Sequence, residues 1–185
     1  NGAGGDFHGL QVMGVYRDAG GNSLPVTDIY NLYAGMVVEL TGIVGRYQGE
    51  TQLALLNNSS LNVLGSQNAP TPIVVDLGDL NDNTRTNQIT TGEQYEDSYI
   101  ELKNVTVTGT QTFNGNRVSF DVADGKGNVI NVSDKFFVQK TASYTTTRSS
   151  APTKQGKFEL PVVGTKYDYI RGIVIHSQNG CTGSN

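Results

Sequence analysis

One segment of this chain is written twice. Tyr33 to Val44 reads Tyr-Ala-Gly-Met-Val-Val-Glu-Leu-Thr-Gly-Ile-Val. Tyr95 to Thr106 reads Tyr-Glu-Asp-Ser-Tyr-Ile-Glu-Leu-Lys-Asn-Val-Thr. Tyr33 aligns with Tyr95, and Glu39-Leu40 with Glu101-Leu102. A fainter echo runs from Lys166 to Val174, where Gly172-Ile-Val repeats Gly42-Ile-Val. An internal repeat constrains the fold before any single motif does, because each copy must be a similar supersecondary unit. Both copies alternate apolar and polar residues at period two, the pattern of a half-buried strand. The repeat therefore predicts a chain that reuses one β-rich unit.

The 185 residues suffice for one large or two small domains. Gly occurs 23 times and Trp not at all, which suits short strands joined by tight turns. The apolar runs fall short of the ~18 residues a membrane helix needs, so membrane insertion is not expected. The first residue is Asn rather than Met, which reads as a processed or excised piece of a longer precursor. Cys181 is the single cysteine, so an internal disulfide is excluded.

Charge is uneven along the chain. Up to Asp79 the basic residues are Arg17 and Arg46, against Asp6, Asp18, Asp28, Glu39, Glu50, Asp76 and Asp79. The remainder is nearly balanced, for a formal net charge of -4. Non-specific nucleic-acid affinity comes mainly from clustered Lys and Arg against phosphates. Nucleic-acid binding is therefore expected to be weak.

The order of elements follows from periodicity and turn residues. A strand is expected over 9–17, with Leu10, Val12 and Val15 buried. A loop follows at 18–23, then a short helix over 26–33 with Ile29, Leu32 and Tyr33 on one face. Residues 35–47 read as a long strand with Met36, Val38 and Leu40 inward, bent at Gly42 and Gly45. Strands at 51–56, 61–64 and 73–77 follow. The polar stretch 78–92 reads as the connector, giving units at 1–79 and 80–185. In the second unit, strands are expected at 98–110, 117–122 and 128–132. Asn114-Gly115 and Asp124-Gly-Lys-Gly127 supply the turns. A partly helical loop is expected at 134–139, then strands at 158–163 and 167–176.

Three strands, a long connection and returning strands make the meander of a five-stranded OB barrel. The run from Gly35 to Leu53 resembles the strand-turn-strand of OB-fold modules in large secreted bacterial proteins. Its features are a Gly before an alternating strand, then Gly42-Ile-Val, Arg46-Tyr47, Gly49 and Thr51-Gln-Leu53. The run from Glu93 to Val107, followed by Asp124-Gly-Lys-Gly127, is similar to the opening of the next such module. The resemblance spans about 33–177 and implies two tandem OB-like barrels. Such modules stand beside extracellular nuclease domains and in cell-surface proteins. By that pattern the first barrel lacks its opening strands, and the second ends short after His176.

Candidate chemistry is sparse. Asp79-x-Asn81-x-Asn83 begins like a calcium loop but has Thr84 and Thr90 where Gly and Glu belong. It reads as polar linker. Asp121 and Asp124 flank a hairpin end, and Asp-Gly turn chemistry already accounts for Asp124. His8 and His176 lack partners at metal-ligand spacing. No metal, no cofactor and no catalytic nucleophile-base pair is read from the sequence. Single-stranded ligands bind OB folds on exposed aromatics with basic neighbours. Arg46 with Tyr47, and Phe113 with Arg117, are the candidate binding residues on that ground, against the alternative that both aromatics pack over hairpin turns.

The expected function is a non-catalytic extracellular structural or adhesive module. It would self-associate head to tail into a surface filament by strand complementation, with 1–8 and 177–185 as donors and Cys181 at the junction. The rival is a nucleic-acid-binding accessory module of a secreted nuclease. A carbohydrate-binding module is the third reading.

Overall fold

The computed structural model describes residues 9–47, 49–113, 117–133 and 160–175. The fold is mostly β, with 51% strand and 13% helix, and contains a sheet curled into a half-barrel. Two compact units form, each discontinuous in sequence. In their described parts the first holds 9–47, 49–73, 94–99 and 173–175, and the second holds 74–93, 100–113, 117–133 and 160–172.

In the first unit, β1 (Gln11–Met13) and β2 (Val15–Arg17) replace the single strand expected from Gly9 to Arg17. They part at Gly14, whose carbonyl accepts the Val26 N–H at 3.0 Å. β3 (Ser23–Pro25) returns antiparallel to β2. A 3-10 turn over Thr27–Asn31 stands where a short helix was expected. Val26 occupies its cap position with extended backbone and no side-chain cap bond.

The expected long strand after Gly35 is present as β4 (Met36–Leu40) and β5 (Gly42–Tyr47). Met36, Val38 and Leu40 are its more buried positions, as the alternation predicts. The break falls at Thr41. A side chain at Gly42 would collide with the Ala54 carbonyl, so only Gly permits this approach of the two backbones. β6 (Glu50–Leu55) pairs antiparallel with β5 and parallel with β1. The Asn57 side chain then caps the 3-10 turn Asn58–Ser60, and β7 (Leu61–Ser66) pairs with β4. The core is small: Val26, Leu53 and Leu55, with Val12, Tyr16 and Leu40 packed against them. Leu10, expected inside, is exposed.

β8 is only Ile73–Val74. The apolar run through Leu77 ends as a strand because Asp76 accepts the Gly78 N–H and starts the helical turn α1 (Leu77–Leu80). Leu77 and Leu80 are then buried together at i, i+3. Residues 78–92, expected as the connector, lie within the second unit. They form α1, a tight loop closed by the Asn81–Asn87 bridge, and α2 (Ile89–Gly92).

The second unit's sheet has the order β11-β10-β9-β12, with β8 also on β9. β9 (Tyr99–Phe113) and β10 (Arg117–Ala123) form the expected hairpin, and β11 (Val129–Ser133) follows the Asp124 turn. β12 (Lys166–Ile173) closes the order. Val107 N–H donates to Thr165 O, and Val174 N–H to Ser98 O, so β12 runs antiparallel to β9. β9 buries Ile100 and Leu102, then Val105 and Val107. That shift of parity is made by Asn104, held at φ 52, which bends the strand. Val105, Val107, Phe120 and Val122 are all buried, and Val107 stands opposite Val122. Residues 160–163 are not strand, against the expectation for 158–163. The helical loop expected at 134–139, residues 158–159 and His176 lie outside the described residues.

The sequence repeat is also a repeat of backbone shape. Met36 N–H donates to Tyr33 O at 3.1 Å, and Ser98 N–H to Tyr95 O at 3.0 Å. The residue before each donor has positive φ: Gly35 at 98 and Asp97 at 58. Each copy is therefore a tight turn with a left-handed third residue, followed by a strand. Each strand then departs from regular geometry at nearly the same place, with the break at Thr41 in one copy and Asn104, one aligned position later, in the other.

Candidate functional site

The residues expected to bind a ligand fall where hairpin geometry puts them. Arg46 and Tyr47 end β5, opposite Thr51 and Glu50. Arg46 is exposed. Phe113 ends β9 directly opposite Arg117, and Phe113 is 50% exposed. The structure thus brings Phe113 and Arg117 to adjacent strand positions. The side chains of Tyr47 and Arg117 lie outside the described part, as do His8, His176, Cys181 and the two terminal segments expected as strand donors.

Of the calcium-type positions, Asn81 is used otherwise, its Nδ2 donating to Val129 O. The Asp82 carboxylate, which lies between those positions, accepts from Thr84 N, Thr84 Oγ1 and Thr86 N. Those bonds, led by the Thr84 hydroxyl, hold the Asp82 carboxyl below its usual range. Asp124 accepts from Lys126 N, Asn128 N and Asn128 Nδ2, which is turn chemistry. Asp121 is buried and ion-paired with Arg85. Among the described residues there is no cluster of three metal-type ligands.

The Asp121 neighbourhood is a built polar site. Gly109 and Asn131 stand opposite Asp121 on the two flanking strands. A side chain at Gly109 would press on the Asp121 carboxylate. Asn131 Nδ2 donates to Asp121 Oδ1 at 2.9 Å and to Ser119 Oγ at 3.1 Å. Arg85, at φ 66, completes the set from the loop between α1 and α2. Both Asp121 carboxylate oxygens serve protein donors, so the arrangement clamps that loop to the sheet.

A second cluster lies on the β9–β12 face. Glu101, 7% exposed, accepts from Arg171 Nε at 2.7 Å through one oxygen. Lys103 Nζ stands 3.7 Å from its other oxygen. The Arg171 guanidinium lies 4.6 Å from the centre of the Tyr169 ring, a cation-π distance. Tyr169 is 53% exposed. Lys103 also lines a shallow groove of about 250 Å3 with Val74, Val75, Asp76, Leu77, Leu102 and Asp124. Lys126 Nζ bonds Asp76 Oδ2 at 2.7 Å, and that bond holds the Asp76 carboxyl low and raises the Lys126 ammonium. This cluster has one sequence signal. Tyr167, Tyr169 and Arg171 recur at every second residue, which sets aromatic and cation on one strand face.

Comparison with known protein families, curated proteins and solved structures finds no match for this chain.

Proposed function

We infer that this chain is a non-catalytic structural or adhesive module, displayed outside the cell, which self-associates through strand edges. The observation that carries the reading is β5. Among the described residues it stands at the end of the order β1-β6-β5, and its neighbouring residues Ile43 and Val44 are each 65% exposed. Successive strand residues point to opposite faces, so β5 offers apolar side chains on both. Natural edge strands are usually protected by charge, proline or a bulge. Here Gly42-Ile-Val-Gly45 precedes the first charge at Arg46. Such an edge suits pairing with a strand of a second copy.

Two OB-like barrels remain the architecture we favour, in keeping with the secreted bacterial modules the sequence resembles. The support is the order hairpin, third strand, long connection and returning strand on a long bent β9. A contact between unlike surfaces of identical subunits propagates rather than closing in pairs, which would make a filament.

Light scattering over a concentration series tests the reading. The intact chain should form species larger than a monomer. Replacing Ile43 and Val44 together by Lys should yield monomer with an unchanged circular dichroism spectrum. A chain that stays monomeric at high concentration removes the proposal. The alternative, a nucleic-acid-binding accessory module of a secreted nuclease, draws on exposed Phe113 opposite Arg117.

A further inference from the structure

The geometry points to a saccharide-binding platform on the β9–β12 face, with Tyr169 as the stacking surface and Glu101, Lys103 and Arg171 as its polar partners. It is independent of the β5 edge.

Three observations carry this. Tyr169 presents more than half of its surface to solvent on a strand, an element that holds a ring at a fixed angle. The neighbouring guanidinium is fixed in place, since Arg171 Nε is bonded to the buried Glu101 carboxylate. The polar groups of the cluster and of the groove carry both signs. Glu101, Asp76 and Asp124 are matched by Lys103, Arg171 and Lys126 in the cluster and along the groove that Lys103 joins to it.

The mixture of signs selects the ligand class. A nucleic-acid strand needs an excess of cations to replace its counterions, and this surface has none. A sugar hydroxyl both donates and accepts, so it is served by carboxylate and ammonium side by side. The apolar face of a sugar ring covers an aromatic ring without requiring charge, and on Tyr169 it would take the face opposite the Arg171 guanidinium. A surface with balanced charge, one exposed ring and a shallow groove therefore fits an uncharged saccharide chain lying across it. Glu101 acts as a positioning residue, holding Arg171 against Tyr169. Tyr169 and Lys103 touch the ligand.

Affinity electrophoresis of the full chain tests this in native gels containing mixed-linkage β-glucan, xylan or mannan. Parallel gels contain polygalacturonate, and a mobility shift is run with a single-stranded oligothymidylate. At least one neutral polysaccharide should retard the chain. Tyr169→Ala should weaken retardation at least tenfold, and Tyr169→Phe, which keeps the ring, should preserve it. Circular dichroism of both variants should be unchanged, because Tyr169 is outside the core. Three results overturn the proposal: no retardation by any of the three neutral polymers, equal retardation of Tyr169→Ala, or Tyr169-dependent binding confined to polygalacturonate or the oligonucleotide. None of these bears on the β5 edge, whose test reads oligomer size.

Discussion

Arg85→Met should be the most costly substitution among the exposed cations of the second unit. The Asp121 side chain is 3% exposed, whereas that of Arg85 is 53% exposed. Removing the arginine leaves a carboxylate inside the sheet with only the Asn131 amide, at 2.9 Å, as a side-chain donor. Breaking a fully buried pair by deleting one partner costs about 3–5 kcal/mol, and losing one hydrogen bond to a charged group about 1.5–3 kcal/mol. Half of the arginine is in water and one donor remains, so the lower range applies, and about 2–3 kcal/mol is expected.

Two further variants separate the causes. Arg85→Gly loses the same ion pair but relieves a side chain held at φ 66. It should be milder than Arg85→Met by about 1 kcal/mol. Arg85→Met combined with Asp121→Asn removes the stranded charge, and should recover at least half of the loss. Urea unfolding is the assay, with hydrogen exchange at the β10 amides reporting the second unit separately. With m near 2 kcal/mol/M, the Arg85→Met midpoint should fall by about 1 M. A midpoint shift equivalent to less than about 0.5 kcal/mol, the range of ordinary surface changes, would refute the reasoning.

Gly35→Ala should destabilise the first unit by about 1–2 kcal/mol, since φ is 98 there and a Cβ would meet the Gln67 carbonyl; thermal unfolding reads this. The Asp76–Lys126 bond predicts an acid limb. The bond from Lys126 holds the Asp76 carboxyl below the usual carboxylate range in the folded chain, so its contribution is present above that range and disappears as pH falls through the lowered value. Lys126→Met should flatten that limb in a pH series of urea midpoints. A single-stranded oligonucleotide should bind only weakly, because Arg17 and Arg46 are the only basic residues up to Asp79 and the remainder of the chain is nearly balanced in charge. Sub-micromolar affinity lost in Phe113→Ala would favour the accessory-module reading instead.

Local pattern predicted local shape well. The strands around Val38, Ile100 and Phe120 follow from alternation, and the Asp124 turn from its Asp-Gly. What the pattern missed depends on contacts distant in sequence. Arg85 and Asp121 are 36 residues apart, so a stretch rich in Asn and Thr read as linker when it is clamped to a sheet. Glu101 and Arg171 are 70 apart, and neither strand alone announces the other. The strand expected through Leu77 failed for a different reason. Val75 and Leu77 alternate as strand residues do, but a side-chain bond from Asp76 to the backbone competes with pairing and turns the chain into α1.

The repeat explains why only one copy carries the aromatic-cation cluster. Both copies share the turn, the left-handed residue and the bend, so Glu39 and Glu101 occupy the same place in the unit. Their neighbours differ. β4 is paired with β7, where Glu39 lies opposite Asn62 and stays exposed. β9 is paired with β12, which brings Arg171 onto Glu101 and buries the carboxylate. A buried carboxylate is tolerable only when paired, so the second copy requires a cation that the first does not. Once Arg171 is fixed there, the residue two positions earlier on the same face is held beside it. In this chain that residue is Tyr169, exposed and under the guanidinium. Glu101→Gln should therefore loosen Arg171 from the ring while leaving β9 paired, whereas Glu39→Gln should change nothing measurable in stability. Comparing the two by the chemical shifts of the Tyr169 ring protons tests whether the carboxylate organises that surface, and identical shifts in Glu101→Gln and the unaltered chain would show that it does not.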